Sequence, residues 1–245
     1  MTALAARVGA SGAPVIPIIH ARSRCVTNPS SLFCPSWVAD NWTGVLEPKL
    51  LQHIEMTVTA VAIGFVLAFA AALAAQRVSW FDRLFTGFST LLYTIPSLAL
   101  FELLVPLTGL TLLTIEIGLV GYTLLALFAN ILAGLRETPP EVVGAARGMG
   151  MTETQILLRV RMPVAVPTIM AGLRIATVIT ISLATIAAYI TPDGLGQPIL
   201  DGISTGFNTE LIAAGGLAIL LALFADALLV GLQRLLTPWR RARVD

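Results

Sequence analysis

The sequence predicts an all-α, polytopic membrane protein of about five transmembrane helices. The chain is 56% hydrophobic and only 12% charged, with a mean hydropathy of +0.86, whereas a soluble domain carries about 25% charged residues. Its apolar residues also gather into five stretches near the length of about 20 residues that a helix needs to cross a bilayer: 54–76, 88–107, 112–135, 166–190 and 211–235. A third observation marks the one informative loop, 138–163, which is polar yet carries helix-capping signals.

From the N-terminus, residues 1–50 read as a flexible exterior tail with an interfacial segment. The apolar run Pro14-Val15-Ile16-Pro17-Ile18-Ile19 is short and broken by proline, a poor signal-peptide core, so the region is a tail or follows a start codon assigned too early. Trp37 and Trp42, followed by Lys49, suit a segment at headgroup level. Cys25 and Cys34 both precede the first span; outside a cell they form a disulfide or remain two free thiols.

Orientation follows from arginine and lysine. With the N-terminus outside, Arg77, Arg83, Arg136, Arg147, Arg159, Arg161, Arg234, Arg240, Arg241 and Arg243 all fall inside, and Lys49 is the nearest basic residue outside. The membrane domain is then 51–237 and the basic cytoplasmic tail 238–245. The chain is multi-pass in a plasma membrane, and its net charge of +1 gives no reason to expect nucleic acid.

The inside loop contains two capping boxes. Thr138-Pro139-Pro140-Glu141 offers a hydroxyl cap, a proline in the first turn and glutamate three residues on; Thr152-Glu153-Thr154-Gln155 repeats the pattern with glutamine. Gly148-Met149-Gly150 between them supplies a left-handed helix stop, with Gly150 expected at positive φ, and Pro163 is expected to end the second helix. The product is a helix, a tight turn and a second helix. For an arbitrary membrane protein such a loop is most often a solvated face.

Ionisable residues within spans are functional candidates. Glu102, Glu116, Arg174 and Asp226 qualify, and a Glu102–Glu116 pair beside Tyr93, Phe101 or Tyr122 would offer a transient site for an organic cation. If the third span instead occupies 118–136, Glu116 is solvated and structural. Arg174 either snorkels or pairs with Asp226; Asn130 reads as interhelical glue; His20 and His53 read as exterior or interfacial. The chain carries no Gly-x-x-x-x-Gly-Lys-Ser/Thr phosphate loop, no His-Glu-x-x-His, no Gly-x-Ser-x-Gly and no cysteine cluster with metal spacing. No catalytic, metal or cofactor site is therefore assigned to it.

Gly144-Ala145-Ala146-Arg147-Gly148-Met149-Gly150, followed by Val160, Met162 and Pro163, resembles the EAA loop of ABC importer permeases. That loop reads Glu-Ala-Ala, three residues, Gly, nine residues, Ile, one residue, Leu-Pro. Ala145, Ala146, Gly150 and Pro163 match at the right spacing, while Gly144, Val160 and Met162 replace the glutamate, isoleucine and leucine; Glu141, one turn earlier, is a candidate substitute for the acid. Tyr93-Thr94-Ile95-Pro96-Ser97-Leu98-Ala99-Leu100-Phe101, Ala171-Gly172-Leu173-Arg174, Ala184-Thr185-Ile186-Ala187-Ala188 and Gly194-Leu195-Gly196 resemble the branch that imports glycine betaine, carnitine, choline and similar quaternary amines, with Thr191-Pro192-Asp193 a departure from it.

The resemblance implies the type I importer permease fold in a bacterial inner membrane. It implies that the loop couples to a cytoplasmic ATPase dimer holding ATP–Mg, that a second permease subunit, the same or paralogous, completes the path, and that an external binding protein delivers substrate. Coupling residues would be Glu141, Gly144, Ala145, Ala146, Gly150, Val160, Met162 and Pro163; path candidates are Tyr93, Pro96, Phe101, Glu102, Glu116 and Tyr122. The rivals are an amino-acid or methionine permease of the same class and, from another class, a channel or secondary carrier.

Overall fold

The structure, a computed structural model, describes residues 32–238. The predicted tail up to residue 31, His20, Cys25 and residues 239–245 lie outside the described residues. Every regular element described is helical. A short helix α1 (Pro35–Asp40) leads through a π turn (Trp42–Leu46) into α2 (Glu47–Arg77), where Glu47 and Pro48 occupy the first turn. The π turn ahead of α2 takes up the N–H that Pro48 lacks, so the proline does not break the helix. Trp37 packs edge-to-face on Phe207, ring centroids 5.2 Å apart, and Cys34 is disulfide-bonded.

The first apolar helix thus runs continuously from Trp42 to Arg77, well upstream of the expected start at residue 54. The added turns place Lys49, Gln52 and His53 inside the domain. His53 has no exposed surface, which corrects the expectation of an exterior or interfacial histidine.

The second span is not one straight helix. Helices α3 (Ser79–Thr94) and α4 (Ser97–Thr108) meet at 102° across Ile95 and Pro96. Proline cannot donate to the ladder and pushes the preceding residue out of helical geometry, and Ile95 accordingly sits at φ −70, ψ 129. Among the described residues four helices are long and apolar enough to cross a membrane, and counting the bent pair as one span gives five.

Helix α5 (Leu112–Arg136) is the centre of the domain, with 56% of its most apolar window buried. It is flanked by α2 and by α8 (Met162–Ile186), with α3 and α4 against it. Small residues let these backbones approach: a β-carbon on Gly64 would lie 1.9 Å from Thr123 Oγ1, and one on Gly172 would lie 2.5 Å from Asn130 Cβ. Asn130 donates to the Ala126 carbonyl of its own helix at 2.8 Å, so close packing rather than a cross-helix bond is what this residue provides. Arg136 pairs with Asp82 at 2.9 Å and ties α3 to the end of α5.

After a 3₁₀ turn (Ala187–Tyr189), the chain forms α9 (Gly196–Thr205), a helix the hydropathy pattern did not reveal, and then α10 (Asn208–Leu236). Only 11% of the apolar window of α10 is buried. Its polar anchor is Arg174 of α8, which meets Asp226 in a bidentate pair at 2.7 and 3.0 Å.

Candidate functional site

The inside loop folds as α6 (Pro140–Gly148) and α7 (Glu153–Ile156) around a turn at Gly150, whose φ is +82. Gly150 N–H donates to the Arg147 carbonyl at 2.9 Å and Met151 N–H to the Ala146 carbonyl at 3.1 Å, closing the C-terminus of α6. At α7 the predicted capping box is present: Gln155 N–H donates to Thr152 Oγ1, and Gln155 Oε1 accepts from Thr152 N–H. At α6 the expected box is absent. Pro139 takes the cap position, its carbonyl receives the N–H groups of Val142 and Val143, and Thr138 is left one residue too early with its hydroxyl unbonded among the described residues.

Pro163 does not end the second helix. A π turn (Leu157–Arg161) joins α7 to α8 and takes up the N–H that Pro163, the second residue of α8, lacks. The chain from Glu153 to Tyr189 is therefore one long rod. Helix α7 is thus continuous with the membrane-crossing helix α8.

The loop residues divide by face. Ala146 is buried with Val143 and Ile156, with Val160 packed on them, and Met162 packs against the main core. Glu141, Gly144 and Ala145, spaced one helical turn apart, are exposed. Two apolar neighbours not among the expected coupling residues, Val142 and Met149, are 46% and 75% exposed. Arg147 and Glu153 form an ion pair of 2.8 Å across the turn.

The path candidates are brought together only in part. Tyr122 hydroxyl donates to the carbonyl of Ile95, freed by the break at Pro96, and its ring stands edge-to-face to Tyr93 with centroids 6.1 Å apart. Tyr93 is 43% exposed. Phe101 has no exposed surface and fills the space left by Gly118, so its face is covered within the chain. Glu116 accepts from Thr59 of α2 at 2.8 Å, with Glu55 as its neighbouring carboxylate and its second oxygen buried without a hydrogen bond among the described residues. Glu102 is exposed on α4 and joins no described hydrogen bond with Glu116.

At the opposite end of the domain from the helix–turn–helix, one face of α2 holds the outer loop. Lys49 donates to the Pro192 carbonyl, Gly194 N–H donates to Gln52 at 3.3 Å and Leu195 N–H donates to His53 Nδ1 at 3.2 Å. Positions 49, 52 and 53 follow helical spacing. That periodicity was the available signal, but it lay upstream of the expected span.

A family model described as "Binding-protein-dependent transport system inner membrane component" matches residues 60–242. The chain belongs to this family. It is 38% identical over 208 residues to the osmoprotectant import permease protein OsmW of Salmonella typhimurium, covering 82% of this chain and 96% of that one. It is 30% identical over 196 residues to the glycine betaine/carnitine/choline transport system permease protein OpuCB of Bacillus subtilis, covering 80% and 90%. Among solved structures it resembles a chain of the MetNI methionine ABC transporter with a TM-score of 0.69 at 19% identity, covering 78% of this chain and 96% of that chain. This permease is thus an inner-membrane transport component with the fold of ABC importer permeases, and its role is transport rather than catalysis.

Proposed function

We propose that the permease is the membrane subunit of an ATP-driven importer for a small quaternary-ammonium osmoprotectant, with glycine betaine, carnitine and choline as the substrate class. The observation that carries the reading is the helix–turn–helix at α6–α7. It exposes Val142, Gly144, Ala145 and Met149 and is continuous with α8. A partner ATPase dimer holding ATP–Mg would seat this surface; closure of the dimer displaces α7, and α8 tilts with it as a rigid body.

The names of the relatives in Salmonella typhimurium and Bacillus subtilis support the substrate class. Tyr93 and the carboxylates Glu102 and Glu116 are chemically suited to it, because a methylated ammonium offers no hydrogen-bond donor and is held by aromatic faces and diffuse negative charge. A second permease subunit, the same or paralogous, completes the path, and an external binding protein delivers substrate. Arg136 reaches the Ala75 carbonyl and Arg161 reaches Gln76, so the arginine-bearing ends of α2 and α5 and the π turn ahead of α8 lie on one side. The positive-inside rule makes that side cytoplasmic, with the N-terminus outside.

The test is reconstitution of the permease with its ATPase and binding protein in vesicles. Labelled glycine betaine, carnitine or choline should enter only when ATP is present on the ATPase side. Uptake of methionine in place of these would overturn the substrate class. Gradient-driven uptake by the permease alone would overturn the importer reading.

A further inference from the structure

Where α2 ends, the chain encloses a basin of about 400 Å³. Its charged lining is Arg77, Arg147 and Arg161 against a single carboxylate, Glu153. That carboxylate is already engaged by Arg147 at 2.8 Å. Arg161 donates to Gln76 Oε1 at 3.0 Å and shares the field of Glu153 with Arg147, and Arg77 joins no ion pair among the described residues. The amide Nε2 of Gln76 is buried and has no acceptor among the described residues. Three guanidinium groups therefore share a single carboxylate in one cavity, which carries a net positive charge suited to an anion with several acceptor oxygens.

We propose that this basin binds the phosphate group of an anionic phospholipid. Guanidinium forks match phosphate oxygens in geometry as well as charge. The apolar part of the lining, Leu73 and Leu157, distinguishes a lipid from a free anion: Leu73 lies on the last turns of the membrane-crossing helix α2, so acyl chains can follow α2 while the headgroup reaches the arginines. Basic pockets at the cytoplasmic ends of transmembrane helices are suited to anionic headgroups. A lipid held there joins Arg77 of α2 to Arg147 of α6, so the composition of the inner leaflet bears on the placement of the helix–turn–helix. The inference is independent of which substrate is carried.

The experiment uses the full chain in detergent, titrated with phosphatidylglycerol, phosphatidylcholine or inorganic phosphate, with native mass spectrometry and thermal melting as readouts. Phosphatidylglycerol should bind saturably and raise the melting temperature, and phosphatidylcholine should do neither. Arg77→Gln should weaken phosphatidylglycerol binding about fivefold, and Arg77→Lys, which keeps the charge but loses the fork, should weaken it less. Arg77 is exposed and makes no ion pair among the described residues, so its replacement leaves the fold intact. Equal binding of the two lipids, or unchanged binding by Arg77→Gln, overturns the proposal. Binding of inorganic phosphate without phosphatidylglycerol would mark a free-anion site instead. Loss of bound lipid on assembly with the ATPase would mark the basin as a protein interface, and either of these outcomes also overturns the proposal.

Discussion

The imidazole of His53 bridges Leu195 and Ile181: its Nδ1 accepts the main-chain N–H of Leu195 at 3.2 Å, and its Nε2 lies 3.0 Å from the Ile181 carbonyl. Because Leu195 has only a proton to give, Nδ1 must be the bare nitrogen and Nε2–H the donor to Ile181. One neutral side chain thus fastens the outer loop to α8 from α2. His53→Leu keeps apolar bulk but strands the N–H of Leu195, while the carbonyl of Ile181 keeps only its place in the α8 ladder. The expected cost is about 1–3 kcal/mol. It would be read as a lower melting temperature in detergent and faster amide exchange over 190–196, and unchanged exchange there would contradict the bridge.

The two expected capping boxes give a paired prediction. Thr152 holds its box, so Thr152→Ala should lower stability by about 1 kcal/mol. Thr138 caps nothing and buries an unbonded hydroxyl, so Thr138→Val, nearly the same shape, should be neutral or stabilising. Melting of the two variants side by side decides it. Equal losses would mean that Thr138 is bonded after all.

These two sites also show what the sequence disclosed. Hydropathy placed α5 and α10 within a few residues because Leu112–Arg136 and Asn208–Leu236 are apolar runs bounded by polar residues. The break in the second span was written in Ile95-Pro96, yet a hydropathy window averages across a proline, so the conformational signal was lost. Pro163 misled in the opposite sense, because the π turn ahead of it absorbs the missing N–H and no residue type announces a π turn. At the candidate site, the turn at Gly150 was legible from its glycine, whereas the Glu116–Thr59 contact joins residues 57 apart in sequence and depends on how α2 packs on α5. Burial of Phe101 was hidden for the same reason, since it depends on Gly118 of a different helix.

Arg174 and Asp226 supply a test of how α10 is held. Their side chains are only 34% and 35% exposed, and α10 has few buried residues of its own. Asp226→Asn leaves the guanidinium without its counter-charge and should lower the melting temperature. Arg174→Leu combined with Asp226→Leu should cost less than Asp226→Asn alone, because no unpaired charge remains. Additive losses in thermal melts would show that the pair is not coupled.

Gly150 sits at φ +82 with open space where a β-carbon would go, so a side chain there meets strain rather than a clash. A β-branched residue in that conformation costs about 1–2 kcal/mol, and the cheaper response is for the turn to open. Gly150→Val should therefore insert and bind the ATPase while ATP-driven uptake falls at least tenfold; Gly150→Asn, which tolerates positive φ, should retain most uptake. Normal uptake by Gly150→Val would remove the turn from the coupling route.

Tyr93 is the path candidate with the most accessible aromatic face, and its edge-to-face contact with Tyr122 is anchored through the Tyr122 hydroxyl at the carbonyl of Ile95. If that face meets a quaternary ammonium, the ring and not the hydroxyl carries the attraction, which is worth about 1–2 kcal/mol when partly desolvated. Tyr93→Phe should then leave transport near normal, whereas Tyr93→Leu should raise the half-saturating substrate concentration about tenfold. The readout is ATP-driven uptake of glycine betaine, at varied concentration, by vesicles holding the complete transporter with the same fixed amount of binding protein, so that only the permease differs between variants. Tyr122→Phe supplies the contrast: it keeps a buried ring but releases Ile95, so it should reduce maximal rate more than half-saturation. Identical behaviour of Tyr93→Leu and Tyr93→Phe would take Tyr93 out of the path and leave Glu102 and Glu116 as the remaining candidates.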